Sequence, residues 1–408
     1  MKIATFLRSG AGSLALLLGS LLALAGCQPA PSPLEHDAYI WQRRWTPALD
    51  AAIGQSAAKI RGWRVLAAQT DAHGELQLFA PDRAVLAASG RPVVLVVRID
   101  GQLVQWDEEM LIRKILALRA DWQRHGEIQP TLAGIEIDHD CGTARLPAYA
   151  HFLTRLKQAL GTTRLSITAL PAWISSVDLT SVLTPIDEAV LQVHAVQAPH
   201  AGLFEAPLAR KWIDRFAARI RKPFRVALPT YGSRVSWDSK GELFAVQSES
   251  PMLSEASEAK ELAAAPAEVA QLLASLRKDR PRGLVGIAWF RLPTTNDERA
   301  WSLSTWYQVM RGAPLSAQSS VHLLPSGTAG ASDVMLRNDG EIDVSLPRRI
   351  VLPAACTIAD GINGYALTEE SGRYRLTRTQ DGWLRAHQQR AVGWARCNNE
   401  TTPPQIDP

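Results

Sequence analysis

The chain has 408 residues and a formal charge of only +4, with no block of basic residues. Nucleic-acid binders concentrate Lys and Arg on one face, so nucleic acid is not expected as a partner. No glycine-rich turn opens any helix-like segment, which leaves a nucleotide site without support. HxH, HExxH and CxxC spacings are missing. No metal and no cofactor is therefore expected, although Glu136, Asp138, Asp140 and His194 carry suitable donor atoms. There is no GxSxG elbow to suggest a serine nucleophile, and no internal repeat. The apolar run Leu14 to Leu24 is too short and too early for a permanent transmembrane helix.

That run is informative for another reason. Lys2 and Arg8 precede it, and it ends in Leu24-Ala25-Gly26-Cys27. The ending resembles a bacterial lipobox. The resemblance implies cleavage before Cys27 and a palmitate-type lipid anchor on its thiol. A plain secretory signal cut near Gly26, with Cys27 left as a free thiol, is the other reading; both export the protein. Gln28, and not Asp, follows the cysteine, which by analogy with Gram-negative lipoproteins implies the periplasmic face of the outer membrane. QPAPSP then reads as an extended tether. In an oxidising compartment the remaining cysteines matter. Cys356 and Cys397 share the C-terminal segment and are the expected disulfide, leaving Cys141 buried at a strand end.

The mature chain alternates apolar runs with amphipathic segments. Strands are expected at 37–41, 63–68, 93–99, 134–138, 165–170, 189–194, 225–229 and 284–290. VVLVV, SITAL and LVGIAWF are apolar on both faces, as in a parallel sheet covered by helices. Helices are expected at 46–60, 81–88, 107–124, 147–160, 207–220, 266–276 and 296–311. Thr46-Pro47 supplies an N-cap with Pro behind it, and Gly161 a C-cap. Eight βα units fit a (β/α)8 TIM-like barrel; an open doubly wound sheet is the alternative. The expected division is signal peptide 1–26, tether 27–36, barrel 37–312, linker 313–332 and a small all-β domain 333–408. The long connection after Pro229 carries a candidate hairpin at Ser239-Lys240-Gly241 and is either functional or ornament.

On a barrel, residues at the C-terminal strand ends face the active site. AGIEIDHD places Glu136, Asp138 and Asp140 on alternate positions, hence on one face. Neighbouring carboxyls raise one another's pKa and a nearby Arg lowers it, so Arg98 can divide the cluster into an acid and an anion. Glycoside hydrolysis needs that division. Asp140 is the candidate acid and Asp138 the stabilising carboxylate. Glu136, Arg98, Asp100, His194, Tyr231, Trp289, Arg291, Trp173 and Trp41 are candidate substrate contacts. Each has a plainer alternative: capping for the two aspartates, a core pair with Arg98 or another interior group for Glu136, a core histidine for His194, barrel plugs for the aromatics and a rim pair for Arg291 with Asp100.

AGIEIDHD resembles the fourth-strand DGxDxDxE motif of chitinase-type glycoside hydrolases, with Gly134, Glu136, Asp138 and Asp140 on the motif positions. Ala133 replaces the leading Asp, and Asp140 replaces Glu. The resemblance implies that the acid protonates the glycosidic oxygen while the substrate's acetamido group attacks. DAYIWQRRW, VVRIDG, GIEIDHDC, ALPAW, LQVHAV, LPTYG and WFRLPT together resemble an uncharacterised bacterial family of predicted lipoproteins, which implies a barrel-like domain without an established activity. The expected function is glycoside-hydrolase-like action on an envelope or extracellular glycan. A glycan-binding or assembly lipoprotein on a barrel that has lost the chemistry is the alternative.

Overall fold

The computed structural model describes residues 33–71, 73–101, 107–124, 130–194, 202–237, 243–247, 258–328, 330–398 and 402–407. The signal-like segment, Cys27 and the turn Ser239-Lys240-Gly241 lie outside the described residues. Residues 35–408 form one compact unit. Among the described residues no helix is long and apolar enough to cross a membrane.

Eight parallel strands close into a barrel: β1 (Glu35–Ile40), β2 (Gly62–Thr70), β4 (Val93–Ile99), β5 (Leu132–His139), β6 (Leu165–Ala169), β7 (Glu188–Gln192), β8 (Phe224–Pro229) and β12 (Leu284–Phe290). Closure is made by β1, which pairs with β12 on one side and β2 on the other. An open doubly wound sheet is thereby excluded. A short strand β3 (Leu76–Leu78), not anticipated from the sequence, runs antiparallel along β2.

Helices cover the barrel: α1 (Pro47–Ser56), α2 (Arg83–Ala88), α3 (Glu108–Arg124), α4 (Leu146–Leu160), α5 (Leu179–Leu183), α6 (Ala206–Arg219), α7 (Pro266–Lys278) and α8 (Leu303–Arg311). Local chemistry sets their ends. The Thr46 hydroxyl accepts from Leu49 N at the start of α1, and Asp82 accepts from Val85 N at the start of α2. The last helix is shorter than the expected 296–311. Asp297 accepts from the backbone N–H groups of Arg299 and Ala300 and from the Arg291 guanidinium. These contacts hold 297–300 as a loop, and Ser302 caps α8 instead.

Alternation along the strands fills the barrel interior in layers. At the N-terminal end Arg64 pairs with Asp37, Glu136 and Glu188, and Arg225 pairs with Glu35, Asp37 and Glu188. Arg61 adds contacts to Glu35 and Asp37 from outside. Arg164 reaches Glu188 at 3.8 Å as well, so four guanidiniums meet four carboxyls. Burial raises the proton affinity of Glu136 against the pull of Arg64. Buried charges are tolerated only when paired in this way. Next to the cluster lie Tyr39, Leu66, Val96, Val190, Ala227 and Ala288, with Val96 level with Glu136. Above these, at the C-terminal mouth, the layer turns polar.

After β8 the chain forms three antiparallel strands, β9 (Gly232–Trp237), β10 (Leu243–Gln247) and β11 (Glu258–Ala263). β9 and β10 are the arms of the expected hairpin. The C-terminal part is all-β, with sheets β13-β14-β21-β17, β15-β20 and β18-β19-β16-β22. The strands are β13 (Ser319–Pro325), β14 (Ser332–Asn338), β15 (Val344–Ser345), β16 (Arg349–Val351), β17 (Cys356–Gly361), β18 (Tyr365–Glu370), β19 (Arg373–Arg378), β20 (Trp383–Leu384), β21 (Gln389–Cys397) and β22 (Gln405–Asp407). The expected linker 313–332 is interrupted by β13, an edge strand that pairs with β14 through backbone bonds and buries Val321. Cys356 and Cys397 form a disulfide, and Cys141 is free and buried. Asp343 accepts from the N–H and hydroxyl of Ser302, and Arg385 donates to the carbonyl oxygens of Thr294 and Asp297. The β-rich part is thus tied to the loop that follows β12.

Candidate functional site

β4, β5, β6 and β7 run side by side, with Arg98 level with Asp138 in the β4–β5 register. Their last inward side chains meet at the mouth. Asp138 accepts a 2.6 Å hydrogen bond from the Thr168 hydroxyl and one of 3.2 Å from Arg98 Nη1. Arg98 Nη2 lies 3.5 Å from Asp140 Oδ2. The guanidinium also sits over the Trp41 ring, 5.7 Å from its centroid. Around this group is a cavity of about 200 Å3 lined by Trp41, Tyr39, Gln192, His194, Tyr231 and Phe290 as well as by the charged trio. Its walls are aromatic: Trp41 meets Phe290 edge-on at 5.0 Å, and His194 stacks on Phe290 at 5.3 Å.

The two aspartates have unequal surroundings. Asp138 is buried, with two donors satisfying it. Asp140 has a proton affinity raised to about 7, by burial first and then by the charge of Asp138, against the pull of Arg98. Its side chain keeps 34% of its exposure, so water reaches it and burial acts less strongly than in a closed core. Asp140 Oδ1 has no hydrogen-bond partner among the described residues.

His194 and Tyr231 face each other across β7 and β8. The Tyr231 hydroxyl lies 3.3 Å from His194 Nδ1, while His194 Nε2 is buried without a partner among the described residues. Burial lowers the imidazole pKa to about 3 and raises the Tyr231 phenol to about 12, so both are neutral over the physiological range.

The structure therefore brings together Asp138, Asp140, Arg98, Trp41, His194 and Tyr231. It separates the remaining candidates from them. Glu136 belongs to the layer below, where its partners are Arg64, the Tyr39 hydroxyl at 2.6 Å and the Ser166 hydroxyl at 3.0 Å, not Arg98. Trp289 points away from the mouth: its indole N–H donates to His36 Nδ1 at 3.0 Å, and its ring meets Trp306 of α8. Phe290, one residue later and on the opposite face, holds the place expected for Trp289. Trp173 is buried with its N–H on the Cys141 carbonyl at 2.8 Å and its ring edge against Tyr149. Arg291 pairs with Asp297 and lies over the Tyr231 ring, so it backs the wall without lining the cavity. Asp100 does not line the cavity either, but its charge raises the proton affinity of Asp140. Gln192, which ends the strand before His194, lines it too, and so do Tyr39, Thr168 and Phe290, which were not expected from the sequence. Strict alternation back from each strand end is the signal that finds Thr168 from Ser166 and Phe290 from Ala288.

Three solved structures overlap most of the barrel at low sequence identity. A chitinase from Chromobacterium violaceum ATCC 12472 superposes with a TM-score of 0.47 at 13% identity, covering 69% of this chain and 99% of that one. The spore cortex-lytic enzyme SleL of Bacillus megaterium QM B1551 gives 0.49 at 13% identity, with 71% and 76% covered. A chitinase from Bacteroides thetaiotaomicron gives 0.47 at 14% identity, with 64% and 90% covered. No functionally curated protein matches the chain in sequence. The C-terminal strands from 322 to 398 match a second family model, Domain of unknown function (DUF8456). The model of Domain of unknown function (DUF3142) matches residues 89–295, half of the chain and the stretch holding every charged residue at the mouth, and the chain belongs to that family.

Proposed function

We propose that this protein is a glycoside-hydrolase-like enzyme acting on a cell-envelope or extracellular glycan, with Asp140 as acid and Asp138 as the stabilising carboxylate. The observation that carries this reading is the pairing of two unequal carboxyls inside one aromatic-lined mouth. Asp138 meets the Thr168 hydroxyl and Arg98, donors that suit a carboxylate. Asp140 holds its proton up to about pH 7. A general acid works best with a pKa near the working pH. Asp140 would pass its proton to the glycosidic oxygen as the bond to the anomeric carbon breaks. Asp138 would face the positive charge that develops there; water would then bond to the anomeric carbon and give its proton to the Asp140 carboxylate, restoring the acid. Trp41 and Phe290 offer flat apolar surfaces for the faces of a sugar ring. The cavity is smaller than the roughly 300–1,000 Å3 that encloses a drug-sized ligand, a size suited to one sugar ring of a longer chain.

Anchoring is part of the proposal. Leu24-Ala25-Gly26-Cys27 supports export with a lipid on Cys27, and Gln28 supports the periplasmic face of the outer membrane. A second reading, glycan binding without turnover, is favoured by one observation: Arg98 reaches both aspartates and opposes protonation of Asp140.

The test uses the chain from Gln28 onward, offered a panel of bacterial glycans, with new reducing ends as the readout. Hydrolysis by the wild type should fall about 10²- to 10⁴-fold in Asp140→Asn, the usual share of a general acid, while glycan binding persists. Binding without release of reducing ends by either form would select the second reading.

A further inference from the structure

Buried polar atoms almost always have a hydrogen-bond partner, and an orphan is a cost of about 1–3 kcal/mol. Among the described residues two such orphans belong to side chains lining the mouth cavity: His194 Nε2 and Asp140 Oδ1. His194 is 2% exposed, held by stacking on Phe290 and edge-on contact with Tyr231. Its other nitrogen has a partner, the Tyr231 hydroxyl. A phenol has one proton. If that proton is donated to Nδ1, the ring's own hydrogen sits on Nε2 and makes it a donor. The cavity would then present a neutral donor at His194 and an oxygen at Asp140.

Charge narrows the occupant further. Arg98 is the one cation among the described residues lining the cavity, and it is already shared between Asp138 and Asp140. An anionic sugar would find two carboxyls and no uncommitted positive charge. We propose that His194, set by Tyr231, is a specificity-determining residue: its Nε2–H donates to an uncharged hydroxyl or amide oxygen of the bound ring, so that neutral sugars are accepted and uronates refused. This deepens the glycan reading above and rests on it for the class of ligand.

The test measures binding, not turnover, so it fails separately from the hydrolase reading. The probes are tetramers of glucose, N-acetylglucosamine and galacturonic acid, titrated by calorimetry into the chain from Gln28 onward. At least one neutral tetramer should bind, and galacturonate should not. His194→Phe should weaken neutral binding about tenfold, the worth of one hydrogen bond. His194→Gln, whose amide still donates, should keep binding within about threefold. Thermal unfolding of both variants checks that the fold survives. Long-range ¹⁵N spectra of the histidines, with the His194 signal assigned by its loss in the variants, should show the Nε2–H form and a shift on adding the neutral tetramer. Galacturonate binding as tight as the neutral sugar, undiminished binding by His194→Phe, an Nδ1–H form, or no binding of any tetramer would each overturn the proposal.

Discussion

Replacing Arg98 by Gln removes the positive charge paired with Asp140 while leaving an amide that can still donate to Asp138. The separation of 3.5 Å between Arg98 Nη2 and Asp140 Oδ2 sets the size of the effect. Coulomb's law gives about 4.7 kcal/mol at an effective dielectric of about 20 and about 1.2 kcal/mol at that of water. The two side chains keep 32% and 34% of their exposure, so the watery end of this range applies. About 1.4 kcal/mol corresponds to one pH unit. In the variant Asp140 should therefore hold its proton to about one pH unit higher than the present value of about 7. The sign is fixed: a lost cation favours the neutral carboxylic acid. Two assays read this independently. The ¹³Cγ shift of Asp140, followed against pH by NMR, reports the proton directly. If hydrolysis is found, activity requires the protonated acid, so its alkaline limb should lie near pH 7 and move upward in Arg98→Gln. A midpoint for Asp140 that stays in place or moves down would refute both the ion pair and the role given to Arg98.

Two stability predictions probe the frame that holds the mouth. An added methyl on Gly286 would meet the Glu35 carbonyl oxygen at 2.4 Å and Arg225 Nη1 at 2.2 Å. Gly286→Ala should cost about 1–3 kcal/mol, toward the upper end because a backbone atom cannot swing away; a urea midpoint equal to that of the wild type would count against the closed β1–β12 seam. The disulfide joins residues 41 apart, a loop whose closure is worth about 4 kcal/mol in the chain-entropy model. The double change Cys356→Ser and Cys397→Ser should lower the stability of the C-terminal strands by about that amount, seen as earlier loss of amide protection in β17 and β21 than in the barrel.

The strands were legible because their chemistry is local. Val93–Ile99 and Leu284–Phe290 are apolar on both faces, and their bounds in the structure match the reading of the sequence. In β21 the apolar alternation is interrupted by Gly393. That glycine is required, since a Cβ there would lie 2.6 Å from the Asp360 carbonyl oxygen of the neighbouring strand. The site was legible in part, and the division follows from what one strand can encode. Parity along β5 places Asp138 and Glu136 on the inner face. It does not say which layer each occupies, because depth depends on the stagger between strands. Glu136 is level with Val96, and Asp138 with Arg98. That two-residue difference puts one carboxyl in the buried charge cluster and the other in the mouth. The three acids of AGIEIDHD therefore have separate partners, although the charge of Asp138 still raises the proton affinity of the other two. Glu136 answers to Arg64, Asp138 to Thr168 and Arg98, and only Asp140 is left with an oxygen that nothing in the described fold satisfies. A carboxyl whose needs are met belongs to the architecture. The one whose needs are not met has its proton affinity displaced and an oxygen awaiting a partner, and on that ground Asp140 is the first residue to mutate.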